Sequence, residues 1–422
     1  MLARKFSRTH GAAQMLAALV LIMAPVFLPH AWAASTYTVL YNFKGGRDGL
    51  GPDAGLVFDA AGNLYGPTYR GGVGCTGDGC GTVFELTPSN GKWKESVLLR
   101  FTTRMPGDLP TAGLILDAQG NLYGTASSAL GGNGMVFKLT PGANGKWRVS
   151  VLHALTGGKD GQEPWGGLIL DSAGNLYGTT AFGGGYGSCK GYSQTYCGTV
   201  FELSPPSTKG GKWREKILYR FKGGRDGRNP FASLILDAAG NLYSTTSAGG
   251  AYGGGTVFKL THGSNGKWTE SVLHNFDVGM DGVAPFSGLV FDKAGNLYGT
   301  TYAGGGSHFG IVFELTPSSD GWKETVIHTF QGGSDGGNPY CGLIFDSAGN
   351  LYGTTSGALT NGSGTVYKLT PGSDGAWTET VIYGFSGGNG SVAPLILDSA
   401  GNLYGTAGGG TYSFGVVFEV LQ

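Results

Sequence analysis

Carboxylates, aromatic rings and imidazoles recur at fixed places in this chain. An aspartate stands at one equivalent position in five repeated loops of the type "FKGGRDGRNPF" (221–231): Asp48, Asp160, Asp226, Asp281 and Asp335. One carboxylate per loop could lend an oxygen to a calcium ion or build a ring of negative charge. Calcium wants several oxygens, however, and no DxDxDG run is present. The competing reading is an Asp-Gly turn whose carboxylate accepts from its own backbone. No metal or other cofactor is expected, with calcium in these loops as the weaker alternative.

The same loops carry a proline, and the residue after it is Trp165, Phe231, Phe286 and Tyr340 in four successive copies, against Asp53, Thr111 and Leu395 elsewhere. Aromatic faces of this kind stack on sugar rings or other planar groups, although they also pack on neighbouring elements. The candidate ligand-binding set is therefore Trp165, Phe231, Phe286 and Tyr340 with Asp160, Asp226, Asp281 and Asp335. His153, His274 and His328 share one position where other copies hold Tyr41, Leu99, Tyr219 and Tyr383. Replacement by tyrosine and leucine argues for packing, and the repeat spacing keeps the three imidazoles apart from one another. There is no GxSxG elbow, no HExxH and no phosphate-binding loop leading into a helix. "SSDGW" (318–322) meets only part of a sialidase-like Asp box. A pair of acids from different copies could still serve a hydrolase or lyase, but nothing in the sequence selects the pair.

The elements that must position these groups are repeats. Asp-x-x-Gly-Asn-Leu-Tyr begins at Asp59, Asp117, Asp171, Asp237, Asp292, Asp346 and Asp398. Each copy is preceded by a "GLILD" run and followed by a "GTVFEL" phrase. A "KWKESVLLRF" phrase (92–101) has relatives ending at Leu155, Phe221, Phe276, Phe330 and Phe385. Four short strands per unit follow: a (GLILD), b (NLYGTT), c (GTVFELTP) and d (KWxExVLHxF). Strands b, c and d alternate apolar and polar positions. Asp-x-x-Gly suits a tight turn between a and b, and "SNGKW" an asparagine-glycine hairpin between c and d. Such a unit matches a propeller blade and is too long for a β-helix coil. The last unit ends in strand c, "GVVFEVLQ" (415–422), while "YTVLYNF" (37–43) carries the strand-d pattern. The expected fold is thus an all-β, seven-bladed β-propeller with four antiparallel strands per blade, whose N-terminal strand (35–43) completes the last blade and closes the ring. The a–b and c–d turns then share one face. The longer, variable d–a and b–c loops share the other, which is the expected binding face.

Composition agrees. Glycine counts 82 of 422 residues without a collagen period, 12% of residues are aromatic and 13% charged, which suits short strands and tight turns. Arg4, Lys5 and Arg8, an apolar run (15–28) and Ala31-Trp32-Ala33 read as a secretory signal peptide over 1–33, leaving a propeller over 34–422. Without the signal's cations the chain is slightly acidic, which argues against nucleic acid or an anionic membrane as partner. Cys75 with Cys80 and Cys189 with Cys197 flank equivalent loops and are expected to form two disulfides, leaving Cys341 as a buried small residue.

The phrases "DSAGNLYGTT" and "GTVFEL" resemble the GloVer tandem repeat of secreted bacterial proteins, over nearly the whole mature chain. The similarity to NHL-type repeats is weaker. The resemblance implies export and a propeller-like array, and no activity. Members often end in a sorting or anchoring segment. This chain ends at Gln422 inside a strand, so release as a soluble monomer, secreted or periplasmic and without stable membrane insertion, is expected. The function expected is an extracellular binding or interaction module for carbohydrate, another polymer or a protein. The alternatives are a lyase or hydrolase with acids at the channel mouth and a structural interaction scaffold.

Overall fold

The computed structural model describes residues 35–422 apart from 73–74, 76, 129–131, 186–196, 209, 358–363 and 387–389. The turn between strands a and b shows why its sequence repeats. The Asp171 carboxylate accepts from the backbone of Ala173 (2.9 Å) and Asn175 (2.8 Å), from the Asn175 amide (2.8 Å) and from the Tyr177 hydroxyl (3.1 Å). Gly174 takes φ +84°, a left-handed conformation that glycine adopts without penalty. Strand b then runs through the core: in "LYGTT" (176–180) every residue is buried. A Cβ on Gly178 would lie 2.6 Å from the ring of Phe201 in strand c, so the bare glycine is what lets that ring sit flat on the sheet.

The strands assemble into seven four-stranded antiparallel sheets, each ordered a-b-c-d. Blade 3, for example, comprises Ile169–Leu170, Leu176–Thr180, Thr199–Ser204 and Arg214–Arg220. In blade 7 the outermost strand is Thr36–Asn42, paired with Val416–Leu421, so the N-terminal strand closes the ring as the sequence predicts. One detail departs from simple alternation. In every blade the c–d register slips by one residue, as between Val200 and Phe201. Val200 pairs with Tyr219 and Phe201 with Ile217, so Leu218 is the extra residue. The bulge turns this leucine into the cluster shared with blade 4.

Burial is concentrated between blades. Seven clusters of buried apolar side chains each span two neighbouring blades, one at every junction around the ring. Their repeated element is an edge-on pair. At six of the seven junctions the aromatic at the end of strand d meets the strand-c aromatic of the next blade, from Phe43 on Phe84 (5.1 Å) round to Phe385 on Phe418 (5.6 Å); blade 2 ends its strand d in Leu155 instead. Strand-d tryptophans pack across the same junctions, Trp147 on Tyr65 and Trp213 on Tyr123. In six junctions the loop proline covers the glycine that opens strand c one blade back, whereas Gly364 faces Gly390. Pro52 lies where a Cβ of Gly415 would fall, at 2.2 Å.

Candidate binding site at the channel mouth

The starts of the seven innermost strands converge on the propeller axis. In six blades small residues follow the loop proline at the second and third positions; in blade 7 Val392 and Pro394 line the mouth instead, and Leu395, expected there, is buried in the core. The backbones crowd together: a Cβ on Gly113 would lie 3.1 Å from the carbonyl oxygen of Gly55. Above this neck the channel widens into a cavity of about 400 Å³ on the d–a and b–c face. The two loop sets are tied by backbone hydrogen bonds, such as Gly184 N–H to Gly158 O (2.8 Å) and Gly250 N–H to Gly224 O (3.0 Å). Loops held this way form a firm rim rather than loose strands of chain.

Trp165, Phe231, Phe286 and Tyr340 all line this cavity. They form one arc across four blades. Trp165 meets Phe231 edge-on at 6.0 Å, Phe231 meets Phe286 at 5.5 Å, and Phe286 stacks on Tyr340 at 5.0 Å and 21°. A second layer supports them: Phe182 abuts Phe231, and Tyr302 abuts both Phe286 and Tyr340. The indole N–H of Trp165 donates to Glu163 (3.2 Å), which fixes the ring's orientation. The four rings remain half-buried. Thr111 and Asp53 continue the wall beyond the arc, with Tyr69 beside them. Asp53 touches solvent at the mouth, yet the enclosing walls strip enough water from its carboxyl to raise it above the ordinary value. Sequence reasoning missed Tyr69, Phe182 and Tyr302. They lie just past the ends of strand b, and their only signal was an aromatic residue where most other blades hold serine, alanine or glycine.

The four aspartates of the candidate set stand elsewhere, at the outer part of the loops and facing the blade junctions. Each accepts from the backbone N–H four residues earlier: Thr156 for Asp160 (3.0 Å), Lys222 for Asp226 (2.9 Å), Asp277 for Asp281 (3.1 Å) and Gln331 for Asp335 (2.9 Å). The strand-d residue at the shared histidine position reaches the same carboxylate, as His274 to Asp281 (3.0 Å) or Tyr219 to Asp226 (3.0 Å). A glutamate of the next blade closes the group. Burial, then the charge of Asp226, pushes Glu270 up to about 7. The structure thus gathers the aromatic half of the set and keeps the acidic half apart from it.

Cys75 and Cys80 are joined in the b–c loop of blade 1. The second expected pair includes Cys189, which lies outside the described residues. Cys341 is free and buried, beside Tyr340 on the channel wall. On the same face, Tyr252, Val278 and Met280 expose apolar side chains from the b–c and d–a loops that flank blades 4 and 5.

Three overlapping stretches, residues 27–185, 127–343 and 264–422, match the family described as the Gloeobacter/Verrucomicrobia repeat. No curated protein matches the sequence. Among solved structures, a candidate 6-phosphogluconolactonase from Bacteroides uniformis is similar, at 13% identity and a TM-score of 0.50, covering 78% of this chain and 84% of that one. A protein from Lactobacillus plantarum is 13% identical over 88% of each chain, with a TM-score of 0.49. The first of these likenesses extends to the fold alone.

Proposed function

The chain belongs to the Gloeobacter/Verrucomicrobia repeat family, and from that premise we propose that it is an exported binding module that holds carbohydrate in the channel mouth. The observation that carries this reading is the aromatic arc. Four rings from four blades converge on one cavity of about 400 Å³, within the range of small-molecule pockets. The apolar faces of sugar rings stack on such surfaces while their hydroxyls remain at the wet rim. Asp53 is the one charged side chain among the described residues of the lining, so a neutral glycan suits the site better than an anionic one. The lack of a second lining acid favours binding over a two-carboxylate hydrolase. Exposed apolar residues beside the mouth extend the surface for a chain longer than one sugar.

Export is part of the proposal. It rests on the signal-like leader over 1–33, on the Cys75–Cys80 disulfide and on the family. The test is a glycan array followed by calorimetry with any hit. Trp165→Ala and Tyr340→Ala should each weaken the hit by about tenfold or more in protein that still melts as a folded domain. A blank array, or full affinity in both variants, would remove the proposal.

A further inference from the structure

Away from the channel, blades 2 and 3 meet through three side chains that the mouth does not use. His153 belongs to the outermost strand of blade 2 (Trp147–Ala154), Asp160 to the loop into blade 3, and Glu215 to the outermost strand of blade 3. The His153 Nε2 lies 3.3 Å from Oδ2 of Asp160 and 3.4 Å from Oε1 of Glu215. One donor atom from each residue falls within 4.8 Å of the others, and among the described residues this is the one such set of three. Glu215 Oε1 is buried and accepts no hydrogen bond. A single imidazole nitrogen carries at most one proton, so it cannot satisfy two carboxylate oxygens together.

A four-coordinate zinc with ligands at about 2.1 Å places neighbouring donors roughly 3.4 Å apart, close to both measured separations. We propose that His153, Asp160 and Glu215 bind one zinc ion, joining blade 2 to blade 3 and leaving a fourth position to water. Thr156 orients the Asp160 carboxylate through its backbone N–H (3.0 Å) and its hydroxyl (2.5 Å). Side-chain exposures of 22% for His153, 12% for Asp160 and 15% for Glu215 leave a path for the ion. The repeat supplies its own contrast. In the blade 7–1 and 3–4 junctions a phenol takes the histidine's place, and Tyr41 and Tyr219 donate to Asp48 (2.7 Å) and Asp226 (3.0 Å). His274 and His328 keep the aspartate contact, at 3.0 and 3.8 Å, without a third donor inside the limit.

The test is calorimetric titration of the untagged, chelator-stripped protein with zinc chloride, with metal content measured after dialysis. One zinc per chain is expected, together with a higher melting temperature. His153→Tyr, a substitution the repeat itself uses, and Glu215→Gln should each weaken binding by about 100-fold or more. His274→Tyr should bind as the native protein does. Absence of zinc binding, native affinity in either of the first two variants, or equal loss in His274→Tyr would overturn the site.

Discussion

The ring of Tyr37 stacks on that of Tyr383 at 3.9 Å, with the planes within 3° of parallel. Tyr37 lies in the first strand of the described residues, whereas Tyr383 lies in the outermost strand of blade 6. At its other end the same N-terminal segment sends Phe43 onto Phe84 of blade 1. One strand is therefore keyed into both neighbours of blade 7 as well as into its own sheet. Deleting residues 35–43 is expected to abolish the single cooperative melting transition. Tyr37→Ala alone should cost about 2–3 kcal/mol, as loss of a largely buried aromatic does. Circular dichroism melts check both. A truncated protein that melts with the full chain would show that closure does not hold the ring.

The two halves of the candidate set should separate by mutation. Phe286→Ala removes the middle of the arc and is expected to weaken a channel-mouth ligand by about tenfold in protein that remains folded. Asp226→Ala deprives Lys222 N–H and the Tyr219 hydroxyl of their acceptor. It should cost about 1–3 kcal/mol of stability and leave affinity within about twofold. Equal losses of affinity in the two variants would place the ligand over the loops instead of in the channel.

The fold was legible because each repeat encodes its own turns. Asp171, Gly174 and Tyr177 recur seven times for one local reason, and the strand-d pattern of residues 37–43 could be matched to residues 379–385 by eye. The bulge was not legible: Val-Leu in strand d reads as a break in alternation, and only pairing against strand c shows that Leu218 is the surplus residue. Trp165 and its partners stood out because they differ between copies at a position fixed by a proline. Asp226 stood out for a different reason, its recurrence, and recurrence marked a turn. The contact between His153 and Glu215 crosses 62 positions and two blades, so no local pattern could announce it.

Stability should peak in mildly acidic solution. In Asp59, Asp117, Asp171, Asp237, Asp346 and Asp398 burial raises the carboxyl, but hydrogen bonds from the following asparagine, tyrosine and backbone outweigh it, leaving each below its ordinary value. These depressed groups stabilise the fold above the unfolded pKa of 3.8, and that contribution is lost as pH falls through the folded values. The junction glutamates act oppositely. Burial and a neighbouring aspartate push Glu95, Glu270, Glu324 and Glu379 up to about 7. Their contribution is complete below the unfolded pKa of 4.5 and is lost progressively as pH rises from there through the folded value of about 7. Melting temperature measured from pH 3 to 9 is expected to be highest at about pH 4–4.5 and to decline from there to about pH 7, and Glu270→Gln should reduce that decline. A melting temperature that climbs steadily to pH 9 would contradict this assignment.

The cysteines allow a chemical count. Cys341 is buried, with Sγ 2.8 Å from the Thr354 hydroxyl, and burial pushes the thiol up to about 11. Thiolate is the reactive form, so native protein at pH 8 should not react with a thiol reagent over minutes. Cys75 and Cys80 are consumed by their disulfide. If Cys189 and Cys197 pair as their spacing suggests, denaturation without reductant should release one thiol per chain, and reduction five. Three thiols on denaturation would mean that the second pair does not form. A thiol already reactive in the native state would mean that the channel wall at Tyr340 and Cys341 opens to solvent. In the chain-entropy account, removing the Cys75–Cys80 bridge should cost about 2 kcal/mol, because it closes only a short loop. The loss is expected to be local to the blade 1 loop and to leave the aromatic arc intact. Channel-mouth affinity in Cys75→Ser, Cys80→Ser protein measures that directly: the bridge and the arc lie in different blades, so unchanged affinity with a lowered melting temperature is the expected pair of results.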